Sequence, residues 1–352
     1  MSRTTDDVRI ASIYPIPTPL DIMAETPRTD DVYDLVSFTR TRVHNILHHL
    51  DDRLIVVVGP CSIHDPEAAM DYANRLMALR EELSDDLEIL MRVYFEKPRT
   101  TIGWKGLIND PDLDGSFNIT KGLKVARRLL HDINALGLPA ACEFLDMTTP
   151  QYIADLVSWG AIGARTTESQ VHRELASGSS CAIGFKNGTS GDVKIAIDAV
   201  GAASHPHHFL AVTKSGEAAI AATRGNEDSH IILRGGTAGT NYDARSIDNA
   251  AAALEKAGLA QSIMIDASHA NSSKDHNRQP LVLEEVGQQI AGGDKRIVGV
   301  MIESNLVGGR QDLKPGSGLT YGQSITDACI DWDSTKQILA GLAENVAKRR
   351  AA

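Results

Sequence analysis

The sequence is poor in cysteine and aromatic residues and has no long apolar run. Its 352 residues include four cysteines, and aromatic side chains make up 5% of the chain. The cysteines are irregularly spaced and form no CxxC pair, so we expect no disulfide framework. No apolar run approaches membrane-spanning length, and residues 1–7 lack the apolar core of a signal peptide. We therefore predict a cytoplasmic protein that does not contact membranes.

Positive charge is also scarce overall, yet it is concentrated in one stretch. Lys and Arg number 35 against 46 Asp and Glu, a formal net charge of -11 that argues against non-specific nucleic-acid or anionic-membrane binding. Residues 91–106 nevertheless carry Arg92, Lys97, Arg99 and Lys105. Cations on a loop that leaves a strand suit the binding of phosphate or carboxylate oxygens. A solvated basic loop is the alternative interpretation.

Short apolar runs alternate with longer helical patterns along most of the chain, which predicts parallel strands joined by crossovers. Eight such runs over this length indicate an α/β fold of the (β/α)8 TIM-barrel type. A doubly wound open sheet is the alternative, but no GxGxxG fingerprint follows the first run. The eight predicted strands are 54–58, 87–94, 139–144, 161–164, 182–185, 230–233, 262–265 and 297–302.

Two segments are additional to a minimal barrel. Residues 1 to about 30 contain four prolines, which predicts an extended arm and not a helix, and a helical pattern follows over 30–50. Two short strands around Lys214-Ser215-Gly216 predict an inserted hairpin within about 205–228. We therefore divide the chain into an N-terminal arm and helix, 1–50, and a catalytic barrel, 51–352, that carries this hairpin.

Chemically active residues stand at or near the ends of all eight predicted strands, where barrel active sites form. One set is cationic and would need an anionic ligand, with phosphate and carboxylate groups, as counter-charge: Arg92, Lys97, Arg165, Lys186 and Arg234. A second set offers thiolate, imidazole and carboxylate ligands for a divalent metal: Cys61, His269, Glu303 and Asp327. The alternatives are a small buried hydrophobe for Cys61 and a hydrogen-bonded core residue for His269. Other histidines, among them His48 and His49, are predicted to be surface residues.

Several long motifs in this order resemble one family over essentially the whole chain. They include Gly59-Pro60-Cys61-Ser62, Gly163-Ala164-Arg165-Thr166-Thr167-Glu168-Ser169 and Asp266-Ala267-Ser268-His269-Ala270-Asn271. The stretch from Arg92 to Thr101 and the motifs around Lys186 and Arg234 agree as well. The chain is similar to the class I 3-deoxy-D-arabino-heptulosonate 7-phosphate (DAHP) synthases, which open the shikimate pathway. The resemblance implies a metal-dependent condensation of phosphoenolpyruvate with erythrose 4-phosphate that releases inorganic phosphate.

The same resemblance implies roles for individual residues. Cys61, His269, Glu303 and Asp327 would bind one divalent ion, and these ligands do not choose among Mn, Fe, Co and Zn. Lys97 would protonate the aldehyde oxygen, and Glu143 is our candidate for ordering the attacking water. The implied substrate-binding residues are Arg92, Lys97, Arg99, Thr100, Ala164, Arg165, Lys186 and Arg234.

In this family the arm and hairpin also build a pocket for an aromatic amino acid. The matching positions are Asp146, Met147, Pro150, Gln151, Leu175, Ser179, Ser180, Phe209 and Ala211. Ordinary packing or a subunit interface is the alternative use of these residues. Ala211 stands where relatives sensitive to phenylalanine or tyrosine tend to carry Ser or Gly, which leaves the effector open, tryptophan included. We also expect a homodimer or homotetramer.

Three other functions compete with this interpretation. An octulosonate 8-phosphate synthase would use a longer sugar, although Lys97-Pro98-Arg99-Thr100-Thr101 favours the four-carbon one. A class II aldolase would consume a ketose phosphate and release no inorganic phosphate. A non-catalytic sensor built on a barrel would bind metabolites without turnover.

Overall fold

The apolar runs form parallel strands that close into a barrel. The computed structural model describes residues 5–99, 103–313 and 318–351. In chain order the strands are β1 (Leu54–Gly59), β2 (Leu87–Arg92), β3 (Ala140–Glu143), β4 (Trp159–Ile162), β5 (Ala182–Lys186), β6 (His208–Val212), β7 (Ala218–Ala222), β8 (His230–Leu233), β9 (Ile263–Asp266), β10 (Ile297–Glu303), β11 (Val307–Arg310) and β12 (Gln323–Ser324).

Eight of these strands make the closed sheet, in the order β1-β10-β9-β8-β5-β4-β3-β2. All neighbouring pairs are parallel, and β10 closes the barrel against β1 with Gly59 opposite Glu303. The expected (β/α)8 TIM barrel is therefore confirmed. The inserted hairpin is the antiparallel pair β6–β7, while β11 and β12 form a small separate pair.

Helices connect the strands and surround the barrel. They are α1 (Pro19–Glu25), α2 (Asp30–Leu47), α3 (Pro66–Glu82), α4 (Ile119–Ala135), α5 (Thr149–Ile153), α6 (Gln170–Gly178), α7 (Lys194–Ala203), α8 (Ala244–Lys256), α9 (Gln279–Ala291) and α10 (Trp332–Ala351). Within the described residues, no helix is both long and apolar enough to cross a lipid bilayer.

Helix α1 corrects the expectation that the N-terminal arm contains no helix. Thr18 accepts a hydrogen bond from the Asp21 amide, and the Asp21 carboxylate accepts one from the Thr18 amide, which is a capping box. Pro19 occupies the first helical position, where its missing N–H costs nothing. The prolines were thus compatible with a short helix that begins at one of them.

Helix α2 closes the N-terminal end of the barrel. Its residues Val43, Ile46 and Leu47 pack into the same buried cluster as the inward side chains of the strands, such as Val57 and Trp159. The outward strand residues instead pack against the surrounding helices. The barrel is therefore filled by side chains and plugged at one end, which leaves the opposite end for chemistry.

A buried carboxylate organises charge at this plugged end. Glu88, which is 2% exposed, lies 2.7 Å from Arg42 and 3.0 Å from Arg53, and Arg80 approaches its other oxygen at 3.4 Å. Three guanidinium groups thus share this counter-charge, and Arg53 also pairs with Asp51 at 2.6 Å.

We predict that Glu88→Gln destabilises the protein by about 3 kcal/mol, because removing the charge leaves the arginines facing one another. The midpoint of urea unfolding measures the effect. Asp112→Asn, which breaks the exposed pair with Lys121, is the control and should change stability by less than about 0.5 kcal/mol. Equal effects of the two substitutions would contradict the role given to Glu88.

Candidate active site

The C-terminal ends of the barrel strands carry one connected group of polar side chains. We call this group the rim site. It consists of Cys61, Arg92, Lys97, Arg165, Lys186, Arg234, Asp266, His269, Glu303 and Asp327.

Within the rim site, Cys61, Glu303 and Asp327 form a compact group of potential metal ligands. Their ligand atoms lie within 4.8 Å of one another, and the Cys61 thiol is 3.6 Å from the Asp327 carboxylate. Backbone hydrogen bonds fix the turn that carries Cys61 on both sides, because the Ser304 amide donates to the Gly59 carbonyl and the Ile63 amide donates to the Tyr94 carbonyl. A buried thiol beside two carboxylates is a donor set that fits a divalent transition-metal ion.

His269 lies beside this trio but outside the group within 4.8 Å. Its Nδ1 is 2.9 Å from Asp266. Burial favours the neutral form of Asp327, but Lys97, followed by His269, outweighs it and lowers the pKa of that carboxyl. The His269 backbone has φ 55°, a left-handed conformation uncommon for a non-glycine residue, and its carbonyl accepts a hydrogen bond from Lys274. The loop thus holds the imidazole in a set orientation, with Nε2 as the nitrogen not facing Asp266.

The thiol and its neighbours shift one another's proton affinity. Burial, followed by the nearby Glu303 carboxylate, raises the pKa of Cys61 to about 11. Burial disfavours the charged form of Lys97, but Cys61 and Glu303 outweigh it and raise the pKa of Lys97. Lys97 is therefore a cation at neutral pH, and a positive ligand would be needed to turn Cys61 into a thiolate.

Two of the rim cations are buried and already paired. The Arg92 guanidinium, in a residue that is 1% exposed, contacts Glu303 at 3.1 Å and donates to the carbonyls of Pro60 and Cys61. The Lys186 ammonium lies 2.8 Å from Asp266. Burial favours neutral Asp266, but Lys186 and His269 hold the pKa of that carboxyl well below its usual value.

The other rim cations are free to meet a ligand. None of the ion pairs between side chains in the described ranges includes Lys97, Arg165 or Arg234. Arg165 is exposed, and Arg234 is close enough that the two charges repel. Burial, partly offset by Asp266, lowers the pKa of Arg234. Two unpaired guanidinium groups side by side form a site for a multiply charged anion.

The remaining predicted site residues lie around this centre. Glu143 ends β3, is half-buried and points at the backbone of Gly163, directly before Ala164 and Arg165. Arg99 is exposed and donates to the Trp104 carbonyl at 2.8 Å, so in this conformation it does not join the rim site. Thr100 lies outside the described residues.

The loop that carries Lys97 is closed by a glycine. The Lys97 amide donates a hydrogen bond to the Lys105 carbonyl at 2.8 Å, and Glu96 forms a backbone bridge with Gly106. Gly106 has φ 122°, and a Cβ there would meet the backbone of Phe95 and Glu96. Only glycine fits this close approach.

The predicted effector residues come from segments that touch the hairpin. Asp146 caps α5 through the amides of Thr148 and Thr149, and Gln151 in α5 accepts a hydrogen bond from Lys214 in the hairpin turn. Phe209 is half-buried, whereas the next residue, Leu210, is 83% exposed. The other positions lie at α5, in or directly after α6, and in the hairpin: Met147, Pro150, Leu175, Ser179, Ser180 and Ala211.

Sequence reasoning missed three neighbours of the site. Asp266, the shared partner of Lys186 and His269, ends β9 and could have been found by the same strand-end rule. Cys329 is buried, and its burial, followed by the nearby Glu303 and Cys61, raises the pKa of its thiol. No sequence spacing indicated that it lies next to the site. Glu96 is the third, next to Lys97.

A parallel barrel with unpaired cations and metal-ligand side chains at its C-terminal end defines a barrel enzyme for anionic substrates. A family model described as the DAHP synthetase I family matches residues 28–340. The chain belongs to that family.

Similar proteins agree over nearly the full length. The phospho-2-dehydro-3-deoxyheptonate aldolase named Phe-sensitive from Escherichia coli K12 is 60% identical over 99% of this chain and 100% of its own. A Haemophilus influenzae phospho-2-dehydro-3-deoxyheptonate aldolase is 58% identical over 99% of this chain and 96% of its own. The solved structure of the Francisella tularensis aldolase of the same name has TM-score 0.95 and 54% identity, over 97% of this chain and 99% of that one. Further relatives are named as tyrosine-inhibited and Trp-sensitive.

The environment of Glu96 leads to a prediction about pH. Burial, followed by the charges of Asp146 and Glu143, raises the pKa of Glu96 from 4.5 to about 8. The folded state therefore keeps a proton that the unfolded state loses. The stabilisation is complete below about pH 4.5 and is lost as the pH rises through about 8.

We expect the unfolding free energy of wild type to fall by roughly 2–3 kcal/mol relative to Glu96→Gln over this range, after a discount for partial exposure. Urea unfolding at a series of pH values measures the difference. Glu168→Gln, at an exposed position, is the control and should follow wild type. Parallel curves for wild type and Glu96→Gln would refute the raised pKa.

Proposed function

We propose that the rim site joins C3 of phosphoenolpyruvate to the aldehyde carbon of erythrose 4-phosphate, which is the DAHP synthase reaction. The products are 3-deoxy-D-arabino-heptulosonate 7-phosphate and inorganic phosphate, and the reaction is the first step of the shikimate pathway. Family membership and relatives with 58% and 60% identity support this function. The observation that carries it is a set of unpaired cations next to a thiol and two carboxylates.

One divalent metal ion would complete the site, held by Cys61, Glu303 and Asp327, with His269 as a fourth ligand. When bound, such an ion polarises the aldehyde oxygen as a Lewis acid. The donor set mixes a soft thiolate with hard carboxylates, so it suits Mn, Fe, Co and Zn alike. Arg92 keeps Glu303 in place, and Asp266 orients His269, which is how the chain preorganises these ligands.

The cations would hold phosphoenolpyruvate. Arg165 and Arg234 supply unpaired charge for its phosphate and carboxylate groups, and Lys186 and Arg92 add buried charge beneath them. Neutralising these groups lets the nucleophilic C3 approach the second phosphorylated substrate without repulsion between anions. Ala164 offers no polar side-chain atom, so its contact would be made by its main chain.

Residues around the bound phosphoenolpyruvate would carry out the proton transfers. Lys97 is charged at neutral pH and would give a proton to the aldehyde oxygen as the carbon–carbon bond forms. Water then adds at C2, and phosphate leaves as the C2–O bond breaks. Glu143 would order that water and accept its proton. Arg99 and Thr100 would contact the sugar phosphate, which requires Arg99 to leave the Trp104 carbonyl.

A phosphate-release assay tests this function. We expect release from phosphoenolpyruvate only when erythrose 4-phosphate is present, loss of activity with a chelator, and recovery on adding a divalent ion. Cys61→Ala should stay folded but inactive, because the soft ligand is gone. Cys181→Ala is the control, since Cys181 is also a buried free cysteine, and it should remain active.

Three outcomes would contradict the proposal. Wild-type turnover by metal-saturated Cys61→Ala would remove Cys61 from the ligand set. Faster phosphate release with the five-carbon sugar phosphate of octulosonate 8-phosphate synthesis would favour that related reaction. A sensor would show binding of phosphoenolpyruvate without any release of phosphate.

The hairpin, α5 and α6 would form a regulatory pocket for an aromatic amino acid. Lys214 donates to the Gln151 carbonyl, the Ser177 and Thr223 hydroxyls share a hydrogen bond at the end of the hairpin, and Phe209 is half-buried. Burial, followed by Asp146 in this pocket, raises the pKa of Glu96, the residue directly before Lys97. An effector that moves Asp146 would therefore disturb the loop that presents Lys97.

Titration with phenylalanine, tyrosine and tryptophan tests the pocket. We expect one of them to inhibit, and Phe209→Ala to raise the half-inhibitory concentration at least about tenfold with unchanged uninhibited turnover, since an aromatic contact is lost. Ser215→Ala, at an exposed turn position, is the control and should behave like wild type. Insensitivity of wild type to all three amino acids at millimolar levels would exclude the pocket.

The arm and hairpin would also make the contacts of a homodimer or homotetramer. Both segments expose large apolar side chains: Ile13 is 76%, Tyr14 80%, Leu210 83% and Ile220 74% exposed. Apolar surface of this kind is suited to a second copy of the chain. The division into residues 1–50 and 51–352 follows the same proposal, with chemistry in the barrel and regulation in the arm and hairpin.

A further inference from the structure

Two histidines at the end of α2 face one carboxylate at the plugged end of the barrel. His44 and His48 are four residues apart and so lie on the same side of the helix. The Nδ1 atom of His44 is 2.7 Å from Asp228 Oδ1, and the Nε2 atom of His48 is 2.9 Å from the same oxygen. All three donor atoms lie within 4.8 Å of one another.

Rigid elements present these donors from both sides. The Leu47 carbonyl, between the two histidines, accepts a hydrogen bond from Ser262 at 2.6 Å. The Asp228 amide donates to the Asn226 side chain, whose own amide donates to the carbonyls of Ala176 and Cys181. Because Asp228 precedes β8, the cluster lies at the strand N-termini, opposite the rim site.

The chemistry of the three side chains matches a metal ion with nitrogen and oxygen ligands. Bonds of about 2.0–2.2 Å place tetrahedral ligand atoms roughly 3.3–3.5 Å apart, so the two N–O distances must lengthen by about half an ångström. The side chains of His44, His48 and Asp228 are 36%, 31% and 23% exposed, which leaves them room to turn and gives an ion access. A neutral imidazole frees its inward nitrogen by carrying its proton on the outward one.

We propose that His44, His48 and Asp228 form a second divalent-metal site, suited to Zn²⁺ or Co²⁺, with water completing the coordination. The ion joins the C-terminal end of α2 to the loop before β8 and so fixes the helix that plugs the barrel. Its role is structural, and its occupancy does not depend on the proposed reaction. A purely hydrogen-bonded cluster is the competing interpretation.

Counting metal ions on the full chain tests this proposal. The metal-free protein is titrated with Co²⁺ and followed by absorption, and bound Zn²⁺ is counted separately by equilibrium dialysis. A rim-site ion bound by the Cys61 thiolate adds a sulfur-to-metal charge-transfer band, which a site of nitrogen and oxygen ligands cannot produce. We expect two ions per wild-type chain, one of them with this band.

Variants assign each ion to its site. His48→Gln and Asp228→Asn should each bind one ion and keep the band, whereas Cys61→Ala should bind one ion without it. His49→Asn is the matched control, because His49 is exposed and its positive φ of 58° suits Asn, and it should bind two ions. Zn²⁺ should raise the melting temperature of Cys61→Ala but not of Cys61→Ala combined with His48→Gln.

Two results would overturn the proposal. One is a wild-type chain that binds a single ion and shows the charge-transfer band, and the other is an unchanged count in both His48→Gln and Asp228→Asn. A wild-type chain that binds a single ion without the band would instead contradict only the rim-site ligands. The two sites can thus fail separately.

Discussion

Positive charges held close together at one end of the barrel are the constraint on which the rest of the structure depends. Burying such groups is costly unless a counter-charge arrives. Arg92 and Lys186 meet this requirement internally, through Glu303 and Asp266. Arg165 and Arg234 remain for a ligand. The barrel supports this arrangement, because its parallel strands place all these side chains at one edge and its tightly packed core offsets the cost of burying their charges.

The two ends of the barrel have different roles: the N-terminal end contributes to stability, and the C-terminal end carries the proposed chemistry. At the N-terminal end, α2 fills the opening with Val43, Ile46 and Leu47, and arginines surround the buried Glu88. At the C-terminal end, the loops hold a half-buried lysine and a histidine with positive φ. Strained backbone and unsatisfied charge at one end are tolerated because the other end is closed and well paired.

Much of the fold could be predicted from the sequence, because buried parallel strands are continuous apolar runs between helical patterns. The rule that barrel active sites form at the C-terminal ends of the strands also identified most rim-site side chains, because parallel strands all end at the same edge of the sheet. Contacts between distant segments could not be predicted. His48 was expected on the surface, yet it meets Asp228, 180 residues away. The pairing of Arg92 with Glu303 across β1 likewise depends on barrel closure, which no local pattern encodes.

Asp266 has a consequence for how ligands bound at Lys186 and at His269 would influence each other. One of its oxygens contacts both Lys186 and His269. An anion that attracts Lys186 withdraws positive charge from this carboxylate, which then interacts more strongly with the imidazole and makes it a better electron donor. Under the proposed assignments, a metal ion at His269 and an anionic substrate at Lys186 would therefore strengthen each other's binding, and by thermodynamic reciprocity the coupling would be equal in both directions.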